Sequence, residues 1–154
     1  MSSVPKEGFP VDDASRAFFE GAAADPDVMR QVIHMLASGG EDDQLTASYI
    51  SALSRVTTHP SALAAYLRAW TQDDVSAGVD QYAGPVLVVT GADDPALGPE
   101  VGEKIAQTFR NARTEVITGS GHFPPLEKPA ELARLISEHV SAAERDAVAA
   151  GTSR

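Results

Sequence analysis

The spacing of apolar residues changes near residue 80 of this 154-residue chain. Upstream of that point, apolar residues recur every three or four positions, which is the spacing of helices that bury one face. Downstream, short runs of β-branched residues alternate with helical stretches, as in a parallel sheet whose strands are covered by helices. The pattern predicts an α/β fold, with a helical segment over residues 9–80 and then a strand–helix–strand–helix (βαβα) unit over residues 84–140.

Four helices are predicted in the helical segment, and each opens with residues that favour a helix start. An acidic side chain can accept the unpaired N–H groups of a first turn, and proline is tolerated at the first position because an N–H there has no partner. Gly39-Gly40 is expected to end the second helix, since glycine readily adopts the backbone conformation found at helix ends. The predicted helix starts are Asp12-Asp13, Asp25-Pro26, Asp42 or Asp43, and His59-Pro60.

Helical periodicity is clearest in the third and fourth of these helices. The third carries an apolar stripe, defined here as Leu45, Tyr49, Leu53 and Val56. The fourth has apolar residues three, four and seven positions after Leu63. Such stripes are typical of helix faces that pack against other helices.

Two strands are predicted in the downstream unit. Val86 to Val89 is a continuous apolar run, typical of a strand that is buried on both faces. Arg113 to Thr118 alternates loosely between apolar and polar residues and is predicted as the second strand. Helices are expected to start at Gly98-Pro99, with Phe109 on its apolar face, and at Lys128-Pro129.

Composition places the chain among ordinary globular domains. Hydrophobic residues make up 43 % of the sequence and charged residues 22 %, which is enough apolar surface for a core. Residues 1–8 are expected to form an N-terminal arm, and residues 141–154 a frayed or disordered tail. The net charge of −10 argues against a nucleic-acid partner, because phosphate binding requires a basic surface.

Neither a membrane segment nor a cofactor site is predicted. No apolar run approaches the ~18–20 residues that a membrane span needs, and the first residues lack the apolar core of a signal peptide, so a cytoplasmic chain without a membrane partner is expected. The absence of cysteine excludes thiolate catalysis and cysteine-bound metals. No spacing of histidines and carboxylates predicts another metal site, and no glycine-rich phosphate cradle predicts a nucleotide cofactor.

Candidate chemistry lies just after the two predicted strands. Asp94 follows the first strand and His122 follows the second. Because adjacent parallel strands lie about 4.8 Å apart and end at the same edge of a sheet, the two side chains are expected to come within reach of each other. A carboxylate bonded to one imidazole nitrogen fixes the tautomer, so that the other nitrogen can accept a proton from a nucleophile. Asp93 is the alternative acid, but the register of the glycine turn favours Asp94.

The same residues carry a resemblance to a known family. Pro85 to Asp94 looks like the strand and acid turn of the α/β-hydrolase fold superfamily, written P-V-L-V-x-x-G-x-x-D. Gly121 to Pro129 resembles the histidine motif of that superfamily, G-H-x-x-x-x-E-x-P. The helical segment resembles the cap, or lid, that many members insert over the active site before the Asp strand. The resemblance therefore covers most of the chain.

This resemblance implies a role for each matching residue. Asp94 is the triad acid and His122 the general base, whereas Glu127 is a structural partner of the histidine motif rather than a catalyst. The implied reaction is hydrolysis of an ester, a thioester or a related bond in a small apolar substrate. The candidates for lining an apolar substrate pocket are Phe18, Trp70 and Phe123. Packing among the helices is the alternative for each aromatic residue of the cap.

The sequence departs from the family at the nucleophile. In the family, the nucleophile stands in a G-x-S-x-G elbow between a strand and a helix, ahead of the acid and the histidine. No G-x-[SCD]-x-G occurs here. Ser38 and Ser120 neighbour glycines, but neither follows a predicted strand and opens a helix. The chain is therefore similar to the C-terminal half of such a hydrolase, without the nucleophile half.

Two parallel strands also make a poor sheet, because such strands normally have neighbours on both sides. The exposed edge of the first strand predicts that a second copy of the chain or a separate N-terminal half completes the sheet. Three functions stay open. The chain is half of a hydrolase whose nucleophile comes from another polypeptide, a non-catalytic small-molecule-binding or interaction protein derived from a hydrolase, or a truncated reading frame of an ordinary hydrolase.

Overall fold

The observed order of elements confirms the predicted α/β fold class. A computed structural model of the chain describes residues 11–37, 41–72 and 78–151. The α-helices are α1 (Asp13–Ala24), α2 (Pro26–Leu36), α3 (Glu41–Thr57), α4 (Pro60–Gln72), α5 (Pro99–Ala106), α6 (Pro124–Glu127) and α7 (Pro129–Gly151). The strands are β1 (Val86–Gly91) and β2 (Ala112–Ile117), and a short 3-10 helix covers Val79–Gln81.

Acidic residues cap the first two helices, as their sequence positions predicted. Asp12 accepts the backbone N–H of Ser15 at 2.7 Å and precedes α1. Asp25 accepts the N–H of Asp27 at 2.8 Å and precedes α2, which has a proline at its first position. Each cap satisfies a donor that the helix itself leaves unpaired, which explains why the helices begin at these residues.

Helix α2 lies at the centre of the helical segment. Its buried side chains are Val32, Ile33 and Leu36. One core cluster joins Ile33 to Ile50 of α3, and a second joins Val32 and Leu36 to Ala22 of α1. The amphipathic pattern of α2 is therefore used on two sides, each facing a different neighbour.

The apolar stripe of α3 faces away from these clusters. Its end members are exposed, Leu45 to 74 % and Val56 to 81 %. The buried positions of α3 are instead Ala47, Ile50 and Ser51. Two of these are small, which lets α3 approach α2 closely. The helical period thus predicted the helix but not which of its faces packs.

The two strands form a parallel pair connected by α5. Pairing runs in register from Val86 and Ala112 to Gly91 and Ile117. Helix α5 packs on both strands, and α7 also contacts both. Gly102 allows α5 to approach β1, because a Cβ at this position would overlap the side chain of Thr90. The predicted strand–helix–strand unit is present, and it sets the two strand ends side by side.

Strand β1 is partly buried among the described residues, which agrees with the exposed edge expected for this strand in the chain alone. Val86 to Val89 are only half-buried, and Gly91 is the buried residue of the strand. Within residues 11–37, 41–72 and 78–151, the only strand that pairs with β1 is β2. One edge of β1 therefore has no β-partner in that part of the chain.

Two local details differ from the expected pattern. Helix α5 ends at Ala106, so Phe109 lies in the turn before β2 rather than on the helix. The short helix α6 begins two residues after His122 and has no counterpart among the predicted helices. Pro124 and Pro125 occupy its first positions, where missing N–H groups cost no hydrogen bond.

The predicted chain ends are covered only in part. Residues 1–8, Ser38, the Gly39-Gly40 stop and residues 152–154 lie outside the described residues. The rest of the predicted tail belongs to α7, which continues to Gly151. Its alanines favour this continuation, because alanine has the highest helix propensity. Among the described residues, no helix has both the length and the apolar character needed to span a membrane.

Candidate active site

The acid turn, residues 92–97, holds the carboxylate of Asp94 in one orientation. Asp94 lies three residues after the end of β1. Its Oδ1 accepts the N–H of Ala96 at 2.9 Å and the N–H of Leu97 at 3.0 Å. Aspartate commonly closes turns in this way. Because Oδ1 is held by the backbone, Oδ2 is directed at the side chain of His122.

The histidine loop, residues 118–123, packs against the end of β1. Gly119 has a φ of +67°, in the left-handed region that favours glycine. Gly91 at the end of β1 is buried against the loop, and a Cβ there would overlap the carbonyl oxygens of Ser120 and Gly121. Glycine at position 91 therefore permits the close approach of the two segments.

Backbone hydrogen bonds join the acid turn to the histidine loop. The N–H of Ala92 donates to the carbonyl of Ile117 at 2.9 Å, and the N–H of Asp93 donates to the carbonyl of Ser120 at 2.9 Å. These bonds continue the contact between β1 and β2 beyond the strand ends. The side chain of Asp93 is exposed, and the carboxylate that reaches the imidazole is that of Asp94.

The two predicted acid–base residues are in direct contact. Nδ1 of His122 lies 2.9 Å from Oδ2 of Asp94. The side chain of Asp94 is 5 % exposed, whereas that of His122 is 28 % exposed. The carboxylate is therefore held inside, and the imidazole keeps access to its surroundings.

Hydrogen bonds keep Asp94 ionised despite its burial. Burial raises the pKa of Asp94, but the hydrogen bonds from His122 and from the N–H groups of Leu97 and Ala96 bring this pKa below its ordinary value of 3.8. An ionised carboxylate only accepts hydrogen bonds, so Nδ1 of His122 carries the proton. Nε2 of the neutral imidazole is then the acceptor, which is the tautomer that a general base needs.

The three aromatic residues predicted to line a pocket have different surroundings. Phe123 lies beside His122, with ring centroids 5.2 Å apart, and packs against both core clusters of the helical segment. Phe18 packs against the cluster that joins α1 and α2. Trp70 contacts Phe19 edge to face at 6.2 Å. All three take part in packing that involves the helical segment, and Phe123 also adjoins His122.

A hydrogen bond also links the helical segment directly to His122. The N–H of His122 donates to the carbonyl of Leu36, the last residue of α2, at 3.0 Å. Carbonyls in the last turn of a helix have no partner within the helix, so this bond satisfies one of them. Sequence reasoning missed the contact, because its only signal is that a predicted helix end has carbonyls in need of donors.

Glu127 and Ser120 support the histidine loop from inside. Oε2 of Glu127 accepts the N–H of Phe123 at 2.9 Å and the hydroxyl of Ser120 at 3.2 Å. Ser120 is fully buried. Its hydroxyl donates to Glu127, and Ser120 lies in the loop between β2 and α6 without opening the helix, in keeping with the sequence-based argument against Ser120 as the nucleophile.

Two other histidines, His34 and His59, and the cavity among the helices lie outside the contact between Asp94 and His122. Nδ1 of His34 contacts Gln44, and Nδ1 of His59 contacts Ser61, both at helix surfaces. Among the residues that the structure describes, no group of three or more histidine and carboxylate side chains is arranged to hold a metal ion. A cavity of about 250 Å³ lies among α1 to α4, with Met29 in its lining, and the acid–base pair is not part of that lining.

Comparison with known proteins identifies the family. The model of the α/β-hydrolase fold family matches residues 26–129, which include both the acid turn and the histidine loop. The chain belongs to the α/β-hydrolase fold family. A search among curated proteins finds no significant match.

Solved structures share the fold at low sequence identity. The N-acyl homoserine lactone degrading enzyme Est816 is 20 % identical with a TM-score of 0.70, over 90 % of this chain and 55 % of that one. An esterase from Exiguobacterium antarcticum is 18 % identical with a TM-score of 0.71, over 87 % of this chain and 53 % of that one. A bromoperoxidase from Bacillus anthracis is 14 % identical with a TM-score of 0.72, over 85 % of this chain and 50 % of that one. The chain thus spans about half the length of the solved structures it matches.

Proposed function

We propose that this chain supplies the acid and the general base of an α/β-hydrolase triad, and that the nucleophile comes from outside these 154 residues. The observation that carries the proposal is the 2.9 Å contact between Nδ1 of His122 and Oδ2 of Asp94. Two structural neighbours are an esterase and a lactone-degrading enzyme, which supports hydrolysis of an ester or a related bond. The substrate we propose is a small apolar one.

The proposed mechanism follows from the proton positions. Asp94, as an anion, holds the Nδ1 proton and stabilises the imidazolium that forms. Nε2 of His122 takes the proton of the nucleophile hydroxyl as its oxygen bonds to the substrate carbonyl carbon, and then gives that proton to the departing alkoxide. Water repeats the sequence on the acyl intermediate, so that the acid is released and the nucleophile regains its proton.

The open edge of β1 supports a partner in this reaction. Val86 to Val89 are apolar but only half-buried, and parallel strands normally have neighbours on both sides. We propose that a strand of a separate N-terminal half, or of a second copy of this chain, pairs with this edge. Sedimentation at micromolar concentration is expected to give an assembly larger than one chain. If the chain stays a monomer and does not bind a co-expressed N-terminal half, both a second copy and a separate N-terminal half are excluded as partners.

Co-expression tests the catalytic proposal. The chain is produced with and without the polypeptide encoded immediately upstream of it, and hydrolysis of p-nitrophenyl butyrate is measured for each polypeptide and for the pair. Turnover is expected only for the pair, because the general base and the nucleophile are then in one site. A pair that assembles but hydrolyses neither this ester nor a thioester analogue would contradict the proposal.

The cavity among α1 to α4 favours a second candidate function, binding of a small ligand without turnover. Its volume of about 250 Å³ is below the roughly 300–1,000 Å³ typical of sites for drug-sized ligands, so the ligand would be small. Its apolar lining includes Met29 and Leu63. Quenching or enhancement of Trp70 fluorescence by ethyl butyrate, abolished by the cavity-filling change Leu63→Phe, would support this function. An unchanged signal in the wild-type chain would count against it.

A further inference from the structure

We infer that Glu127 and Ser120 form a positioning pair, which sets where the imidazole of His122 stands relative to Asp94. The kinetic consequence of this inference rests on the proposed function of His122. The effect on the orientation of the imidazole does not depend on that function, because this orientation can be measured in the isolated chain. Glu127 accepts hydrogen bonds from the hydroxyl of Ser120 and the N–H of Phe123, and through these bonds it would act on the histidine loop.

The first step of the argument is the position of the two donors that Glu127 binds. The N–H of Phe123 immediately follows His122, and the hydroxyl of Ser120 belongs to the residue two positions before it. A single oxygen, Oε2, accepts both bonds. One carboxylate therefore holds the chain on both sides of the histidine. The bond to the N–H of Phe123, at 2.9 Å, has the usual length, whereas the contact with the Ser120 hydroxyl, at 3.2 Å, is longer than most O–H···O bonds.

The second step is the way in which Glu127 is itself held. Its own N–H donates to the carbonyl of Phe123 at 2.9 Å, while its side chain accepts the N–H of the same residue. This reciprocal pair resembles a capping box at the start of a helix. The short helix α6 therefore fixes Glu127 immediately beside the loop, and little side-chain freedom remains to be lost when it binds Ser120.

The third step connects the positioning pair to the acid. The carbonyl of Ser120 accepts the N–H of Asp93, the neighbour of Asp94, at 2.9 Å. Ser120 is fully buried, so neither its hydroxyl nor its carbonyl can exchange these partners freely with water. Ser120 thus ties the acid turn to Glu127. The acid, the base and Glu127 belong to one network of hydrogen bonds.

The close packing at Gly91 leaves the loop few alternative positions. A Cβ on Gly91 would overlap the carbonyl oxygens of Ser120 and Gly121, so the loop lies directly on the strand end. If Glu127 is removed, the N–H of Phe123 loses this acceptor, and the hydroxyl of Ser120 keeps only the longer contact with the carbonyl of Gly121 at 3.4 Å. A part-buried N–H without an acceptor is costly, so the loop is expected to shift until the N–H regains a partner.

The test measures the tautomer of His122 by ¹⁵N NMR of the intact chain, with signals of His34, His59 and His139 as internal controls. In the wild-type chain, the Asp94 contact is expected to hold the proton on Nδ1. Glu127→Ala is expected to give a mixture of Nδ1–H and Nε2–H forms at His122 alone. Glu127→Gln is expected to keep the wild-type signal, because its amide oxygen can still accept from the loop.

Matched variants separate positioning from general destabilisation. Leu67→Ala removes a buried side chain from α4, outside the two core clusters against which Phe123 packs, and it should lower the unfolding midpoint while the His122 signal stays unchanged. Ser120→Ala removes only the hydroxyl donor and serves if Glu127→Ala does not fold. A wild-type His122 signal in every folded variant at Ser120 and Glu127 would overturn the inference.

A kinetic measurement separates this inference from the proposed function. In an active assembly, Glu127→Ala is expected to lower kcat about 100-fold with little change in KM, since a misplacement of about 1 Å can cost that much. Glu127→Gln should restore most of the loss. If no assembly is active, the proposed function fails, whereas the NMR result on His122 still decides the positioning role of Glu127.

Discussion

The strand-end region, residues 84–151, and the helical segment place their side chains by different means. At the strand ends, backbone hydrogen bonds such as that from Asp93 to Ser120 fix the positions of Asp94 and His122. In the helical segment, the helices associate through side chains, and α3 turns Leu45 and Val56 outward. The contrast shows why the acid–base pair could be anticipated from a short stretch of sequence, whereas the faces of the helices could not.

Removing the imidazole is expected to have the largest effect of any single change. In an assembly that hydrolyses esters, His122→Asn should lower kcat by about 10⁴- to 10⁶-fold, because the general base is lost. His59→Asn is the matched control in the helical segment. His59 is exposed at the start of α4, where asparagine is also a favourable residue. Equal activity of the two variants would rule out the base role of His122.

The two faces of α3 offer the next test. Ile50 is 8 % exposed, and Ile50→Ala is expected to lower the free energy of unfolding by about 2–5 kcal/mol through a core cavity. Val56 is 81 % exposed, and Val56→Ala should change the free energy of unfolding by less than about 0.5 kcal/mol in the isolated chain. Urea unfolding of both variants checks the difference. A large loss from Val56→Ala would mean that the apolar stripe is covered in solution.

Gly91→Ala probes the contact between the strand end and the histidine loop. Its added Cβ would overlap the carbonyl oxygens of Ser120 and Gly121, so a loss of about 1–3 kcal/mol in unfolding free energy is expected from overpacking. Gly21→Ala in α1 is the control, because its Cβ would meet Val28 at an ordinary 3.7 Å. That change should stabilise the helix by up to about 1 kcal/mol. Similar losses from both would refute the tight contact at Gly91.

The smallest expected effect is a pH dependence from Asp94. Its pKa is lowered in the folded chain, so ionised Asp94 contributes stability at pH values above its unfolded pKa, and this contribution is lost as the pH falls through the folded pKa. Asp94→Asn should therefore be less stable than the wild type at pH 7, and the gap should narrow near pH 3. Urea midpoints at the two pH values measure the gap. If the difference in stability between the wild type and Asp94→Asn is the same at both pH values, the ionised carboxylate of Asp94 does not contribute to stability.

Local rules were sufficient for the features that depend on neighbours in sequence. The caps at Asp12 and Asp25 and the proline start of α2 follow from unpaired N–H groups at helix ends. The meeting of Asp94 and His122 follows from the geometry of adjacent parallel strands. The helix bounds were also close, although α5 ends at Ala106, before Phe109.

Features that depend on tertiary partners were out of reach of the sequence. The exposure of the α3 stripe reflects the small residue Ala47, which lets the opposite face pack closely on α2. The burial of Phe123 against the helical segment has no sequence signal, since an aromatic residue beside a histidine equally suits a pocket. The half-buried state of β1 likewise depends on which partner, if any, lies along its edge.

The hydrogen bond between Leu36 and His122 has a consequence for the order of folding. More than half of the chain lies between the two residues that it joins. Closing so long a loop costs chain entropy, and contacts between distant residues form slowly. During synthesis, α2 leaves the ribosome long before His122 does, so the carbonyl of Leu36 cannot bond to the N–H of His122 until the later residues are made. His122 is therefore expected to reach its final position late, once the two ends of this segment have met, and late protection of its amide in pulse-labelled refolding would mark that event.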